Sequence, residues 1–243
     1  MIIDCYVGNQ TKPLAGKEFG MAGVEKLLRD AGVERAVITP DVTVRPKNRE
    51  LAEAIAGTPS FRKLFTGCAF VNPQFGEESV REFEFAVKEL GFRCLKLMPT
   101  HHAFRCVMPV AHPLMQKAEE LGVPVLIHSG TFFAHPLEIG VLADVFPNVT
   151  VLMDHMGYRY YTAEAVAAAK RSPNIHLVTS IVMEPHIIRQ AVKAIGADRV
   201  LYASNAPLAY PVTQIQVIHQ AELSEADERK VLGDNSARIF RLS

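Results

Sequence analysis

The sequence has no tryptophan and only four cysteines in 243 residues. Cys5, Cys68, Cys94 and Cys106 show no CxxC spacing, which removes the usual signature of a thiolate zinc site or a redox dithiol. They read as reduced thiols of a cytoplasmic protein. An excess of either charge is also missing: Lys+Arg and Asp+Glu are both 26. Without a basic excess or a basic run, neither nucleic acid nor an acidic membrane surface is an expected partner. No stretch approaches the roughly 18 apolar residues of a spanning helix. The apolar start, Met1 to Ile3, meets Asp4 at once, without a charged n-region or a long apolar h-region, so no signal peptide is expected. No linker, low-complexity tract or shift of composition breaks the chain, and one domain over residues 1–243 is the simplest reading.

What is present is a rhythm. Short β-branched runs alternate with segments of helical period, and turn residues stand between them. Strands are expected at Met1–Val7, Arg35–Thr39, Phe65–Val71, Cys94–Met98, Val125–Ile127, Val149–Met153, Ile175–Thr179 and Val200–Ala203. Helices are expected at Gly20–Ala31, Asn48–Ala56, Glu77–Leu90, Pro113–Leu121, Pro136–Val145, Ala163–Lys170 and Pro185–Ile195, with two or three more closing the chain. Ser224, followed by Asp227 and Glu228, reads as a helix N-cap with acidic first-turn residues. Eight β-then-α units in series predict an α/β fold, a single (β/α)8 TIM-type barrel, with a doubly wound open sheet as runner-up. Catalytic residues of such barrels stand at the C-terminal ends of the strands. His128 stands there, directly after Val125-Leu126-Ile127, and the polar loops 100–112 and 131–136 would lie over the same mouth.

Several strand-end phrases together resemble the amidohydrolase superfamily, in its amidohydrolase-related branch of metal-dependent hydrolases and non-oxidative decarboxylases. They are Gly91 to Pro99, Leu121 to Gly130, Asp154-His155-Met156-Gly157, Asp198 to Pro207, and the tail from Val231 to Phe240. The resemblance runs over nearly the whole chain. It implies a barrel acting on a small polar molecule by metal-assisted hydrolysis or decarboxylation, with ligands at the strand ends. Three strand ends depart from the family pattern. The His-x-His pair of strand one is replaced by Tyr6 and Gly8, the strand-eight aspartate is Asn205, and Met98 stands where many relatives have a histidine. His128 and His155 keep the ligand positions of strands five and six, so the resemblance implies a degenerate metal site.

Two readings of the pair stay open. In one, His128 and His155 hold one divalent metal such as zinc, with a third ligand from His101, His102 or His135 on the mouth-side loops. In the other, they are hydrogen-bonded histidines of a polar mouth, able to act as acid or base without a metal. Lys96, alternating with Leu95 and Leu97, is expected inside the barrel, either paired with Asp4 or facing a substrate anion. His128, His155, Lys96 and Asn205 are therefore the candidate catalytic residues, and Tyr6, Arg159 and His102 the candidate substrate contacts. By strand parity, Cys5 is expected in the helix-facing core. Asp154 is expected to face away from the interior, in a structural hydrogen bond. The function expected is that of a hydrolase or carbon–carbon lyase for a small molecule. A small-molecule-binding barrel that has lost its metal chemistry is the alternative, and a homodimer is the default assembly.

Overall fold

Short buried strands set the architecture, because a strand covered on both faces needs apolar side chains in both directions. In the computed structural model, residues 1–9 and 19–242 are described. Nine strands run through these residues: β1 (Ile3–Gly8), β2 (Arg35–Thr39), β3 (Phe65–Gly67), β4 (Ala69–Phe70), β5 (Leu95–Leu97), β6 (Val125–Ile127), β7 (Val151–Met153), β8 (Ile175–Val178) and β9 (Val200–Leu201). All the pairings are parallel, in the order β1-β2-β3 and β4-β5-β6-β7-β8-β9. β3 and β4 are one expected strand, Phe65–Val71, interrupted at Cys68. The ladder continues across the break, with Cys68 N–H donating to Ile38 O at 2.8 Å and Ala69 N–H to Cys94 O at 2.7 Å. The seam closes where Cys5 N–H donates to Tyr202 O and Asn205 N–H to Tyr6 O, both at 3.1 Å. The result is the expected eight-stranded (β/α)8 barrel.

Helical segments between the strands pack their apolar stripes on the outside of the sheet. Helices Pro136–Val145 and Pro185–Ile195 have the expected limits, each beginning at a proline whose missing N–H costs nothing in a first turn. A short helix at Pro59–Leu64, which the apolar period did not suggest, also begins at a proline. Ser224 caps its helix by accepting from Asp227 N–H at 3.2 Å. No helix among the described residues is long and apolar enough to cross a membrane.

The lumen is filled by alternate strand residues, among them Ile3, Val37, Cys94, Leu126, Leu152 and Leu201, with Phe240 and Leu242 packed against them. Cys5 belongs to this inner cluster as well, together with Tyr6, and this corrects the expectation that it faces the helices. Cys5 keeps the two-residue alternation with Ile3, and the register shift in β1 between Asp4 and Val7 is what lets Tyr6 join the same side. Burial pushes the Cys5 and Cys68 thiols upward, so they stay neutral core groups.

Near the end of the chain, residues Lys230–Asp234 form one π-helical turn. A Cβ on Gly233 would stand 2.2 Å from Met1 O, so only glycine lets the turn reach the first strand.

Candidate active site

The polar cluster of the mouth grows from four adjacent strand ends. Lys96 lies in β5, and its neighbours Leu95 and Leu97 face the outer core. Its aliphatic stem fills the lumen, only 1% of the residue is exposed, and its Nζ is 2.5 Å from Asp154 Oδ2. The face of the Tyr6 ring lies 3.8 Å from the same ammonium. Burial works against the charge, but Asp154 and Tyr6 outweigh it and raise the Lys96 pKa, so the ammonium persists.

Two expectations are corrected here. Lys96 does not pair with Asp4, whose Oδ1 accepts instead from Ser204 N–H at 3.0 Å and Tyr6 N–H at 3.2 Å. Asp154 does not face away from the interior. Leu152 points into the lumen, and Asp154, two residues on, continues on that side. The chain then turns through left-handed backbone at His155 (φ 62°) and Met156 (φ 46°), which brings the His155 ring to the same place.

Asp154 is the hub of the cluster. Its Oδ1 accepts from His155 N–H at 3.0 Å and from the Ser180 hydroxyl. Its Oδ2 accepts from Lys96. Burial alone would raise this carboxyl, but His155, Lys96 and His128 outweigh it and hold the pKa at about 2. Ser129, after β6, donates its hydroxyl to Asp154 O and accepts from Gly157 N–H at 2.9 Å. Gly130 must be glycine beside this turn: its φ is 92°, and a Cβ would meet Tyr158 Cβ at 2.3 Å.

The two histidines are joined. His155 Nδ1 is 3.2 Å from the Ser180 carbonyl oxygen, which can only accept, so the proton sits on Nδ1. His155 Nε2 is then a lone pair, and His128 Nδ1 donates to it at 3.0 Å. Burial, and then the neighbouring His155 and Lys96, push the His128 pKa down to about 3, and burial lowers His155 as well. Both rings are therefore neutral at pH 7, the state in which imidazole binds a metal. His128 is the partly exposed member and the one that reaches the mouth.

The side chains present fit a divalent cation. His128, His155 and Asp154 each offer one donor atom, and these atoms lie within 4.8 Å of one another. Two neutral imidazoles and an ionised carboxylate form a common first-row metal set. The candidate third donor beside the two histidines is thus Asp154, not a loop histidine. His102 Nε2 is bound to Thr43 O at 3.1 Å and its ring packs on Phe70, while the His101 ring packs on His102. His135 accepts from Leu137 N–H at the start of its helix and packs on Tyr161.

The other side of the mouth is built differently. Tyr6, Gly8, Thr39 and Asn205 line a cleft of about 130 Å³. Asn205, at φ 62°, is buried, and its amide N–H is tied to Tyr6 O. Arg159 lies apart from the histidines, on a cleft of about 190 Å³ with Tyr158, Tyr160 and Met183, and its guanidinium is 3.5 Å from Glu184. Ser180 and Ser129 were not singled out from the sequence. Their one signal is position, each just past the end of a strand.

Residues 14–242 match the family model described as Amidohydrolase. The gamma-resorcylate decarboxylase of Polaromonas sp. strain JS666 is 25% identical, over 83% of this chain and 77% of that protein. An uncharacterised TIM-barrel protein from Bordetella bronchiseptica superposes with a TM-score of 0.82 at 17% identity, covering 99% of this chain and 98% of the other. Dihydroxybenzoic acid decarboxylase from Polaromonas sp. JS666, solved with bound manganese and the inhibitor 2-nitroresorcinol, superposes with a TM-score of 0.76 at 21% identity, covering 99% and 97%. At these identities the two structures share the barrel with this chain.

Proposed function

The chain belongs to the amidohydrolase family, and on that premise we propose that it is a non-oxidative decarboxylase of a small hydroxylated aromatic acid, working at the C-terminal mouth of the barrel. One observation carries the reading: the buried string Lys96–Asp154–His155–His128, joined at its middle by the His155 backbone N–H on Asp154, which ends on the one member open to the mouth. The decarboxylase relatives and the manganese in a structural neighbour support the same reading.

His128, His155 and Asp154 would hold a divalent cation. When bound, such an ion supplies positive charge for the substrate's carboxylate and adjacent hydroxyl oxygen. Manganese in the neighbour makes zinc one choice among several.

The remaining tasks fall to this chain's own side chains. Loss of CO2 from an aromatic acid puts a proton on the ring carbon, and the electron pair of the broken C–C bond returns to the ring. His128 turns its Nδ1 toward His155 and is partly exposed at the mouth, so its other ring nitrogen can hydrogen-bond a substrate hydroxyl or solvent and pass the proton that the ring carbon receives. Tyr6 and Asn205, in the cleft across the mouth, can hydrogen-bond substrate oxygens. Asn205 has no acidic proton to offer, so proton transfer is assigned to the histidine side. The Lys96 ammonium pairs with Asp154, and Asp154 and Ser180 hold His155 in place.

The test is incubation of purified protein with 2,6-dihydroxybenzoate or 5-carboxyvanillate and added Mn²⁺, followed by CO2 release and, in D2O, deuterium at the vacated carbon. Turnover that falls at least 100-fold in His128→Ala supports the proposal. No CO2 from either acid, or equal turnover in His128→Ala, sinks it. Saturable binding of the acids without CO2 release would favour a binding barrel that has lost its chemistry. The replacement of the family's strand-eight aspartate by Asn205 is what keeps that second reading in view.

A further inference from the structure

The Asp154 carboxylate has no idle oxygen. Oδ1 holds the His155 N–H and the Ser180 hydroxyl, and Oδ2 holds the Lys96 ammonium at 2.5 Å. A metal shared with His128 and His155 needs one of these oxygens. The nearer to His155 Nε2 is Oδ2, at 3.3 Å. That oxygen already carries a full positive charge, and the ammonium is confined. The Tyr6 ring covers it at 3.8 Å, and the residue is 1% exposed. Tyr6 itself is buried and belongs to the same inner cluster.

We propose that Lys96 is a built-in cation that competes with a divalent metal for the Asp154 carboxylate, with Tyr6 holding the ammonium in place. The inference rests on the reading of His128, His155 and Asp154 as metal ligands. It makes the site an electrostatic compromise. Two like charges on one buried oxygen repel strongly where water is absent to screen them. The lysine therefore lowers the affinity of the site for a metal, and the cluster keeps a cation whether or not a metal is bound. The Lys96–Asp154 pair also gives Tyr6 a role: its ring face attracts the same ammonium that the carboxylate binds.

The test is Mn²⁺ titration, read as free-ion signal by electron paramagnetic resonance and, separately, as a metal-dependent rise in Tm. Four proteins are compared: wild type, Lys96→Met, Asp154→Asn and the double variant. Lys96→Met is expected to bind Mn²⁺ at least tenfold more tightly than wild type. In the Asp154→Asn background the same change is expected to do nothing, because the contested oxygen has lost its charge. Lys96→Gln, which is neutral but can still hydrogen-bond Asp154, stands in if Lys96→Met does not fold, with the same direction expected. His128→Ala, which lacks a ligand, should lose binding. Binding that depends on His128 but is equal or weaker in Lys96→Met overturns the competition and leaves the metal reading standing. Absence of binding in wild type and in both lysine variants overturns the metal reading and the competition together.

Discussion

The two sides of the barrel mouth are made to different specifications. On the side of β5 to β8, Lys96, Asp154, His155, His128 and Ser180 form one hydrogen-bonded network with little slack. On the side of β1, β2 and β9, Tyr6, Gly8, Thr39 and Asn205 surround open space. The first side retains the histidines that the family pattern places at strands five and six. The second is where that pattern's strand-one histidines and strand-eight aspartate are replaced. A network of buried charges tolerates few changes, since removing one member leaves another charged and unpaired. A cleft whose lining holds a single charged side chain, Asp41, is less constrained. The contrast explains how one side could change while the other kept its residues.

The sharpest way to break the comparison is at the hub. Asp154→Ala leaves the Lys96 ammonium buried without a partner and should cost about 3–5 kcal/mol of unfolding free energy. Urea denaturation measures it. A loss below about 1 kcal/mol would show that the network side is no more constrained than the cleft.

Asp4 lies at the boundary between the two sides, joining β1 to the segment after β9. Burial pushes its carboxyl up to about 7, in spite of the Ser204 and Tyr6 N–H groups, and its Oδ2 has no partner. Between the unfolded value near 4 and the folded value near 7, the folded state holds the extra proton. The associated stability is complete below pH 4 and is lost as pH rises through 7. Asp4→Asn should therefore gain on wild type between pH 5 and pH 8, by up to about 4 kcal/mol. A pH-independent difference in Tm or in urea midpoint would show that Asp4 is not held protonated.

Gly130 tests whether the network depends on the close approach of its loops. Gly130→Ala adds a Cβ into the Gly157 carbonyl and Tyr158 at a φ of 92°, and should cost about 1–3 kcal/mol. It should also disturb the His128–His155 hydrogen bond, which the ring proton shifts of the two histidines in NMR report.

The smallest effect is expected across the mouth. Tyr6→Phe keeps the ring over Lys96 and should change stability by less than about 1 kcal/mol. If the phenol contacts substrate, the same variant raises KM in the decarboxylation assay while leaving the metal titration unchanged. A loss of stability comparable to that of Asp154→Ala would erase the distinction between the two sides.

Much of this molecule was legible in one dimension. The β-branched runs at Arg35–Thr39 and Val125–Ile127 and the proline-started helices at Pro136 and Pro185 are local signals, and each stands where its pattern put it. The break of the third expected strand at Cys68 had one signal that was passed over, Gly67 directly before it in an otherwise strand-like run from Phe65 to Val71. Within the cluster, His128 and His155 were singled out by type and position at strand ends, and Lys96 as a charge in mid-strand. Asp154 was identified but turned the wrong way, and Ser180, the acceptor that sets the His155 tautomer, was passed over because serines after strands are common.

The sequence by itself determined the order of eight strand–helix units and the family, whose model matches residues 14–242. Each of these is written in residue type and spacing. Only the tertiary structure decided which charges meet. Lys96 pairs with Asp154 and not with Asp4, because Asp154 shares the lumen-facing side of Leu152 while Asp4 Oδ1 is taken by the Ser204 and Tyr6 N–H groups. The left-handed turn at His155 and the register shift after Asp4 then bring His155 and Tyr6 to the same cluster, against the two-residue alternation from which side-chain direction is read, and Ser180, distant in sequence, accepts from the turned His155 N–H.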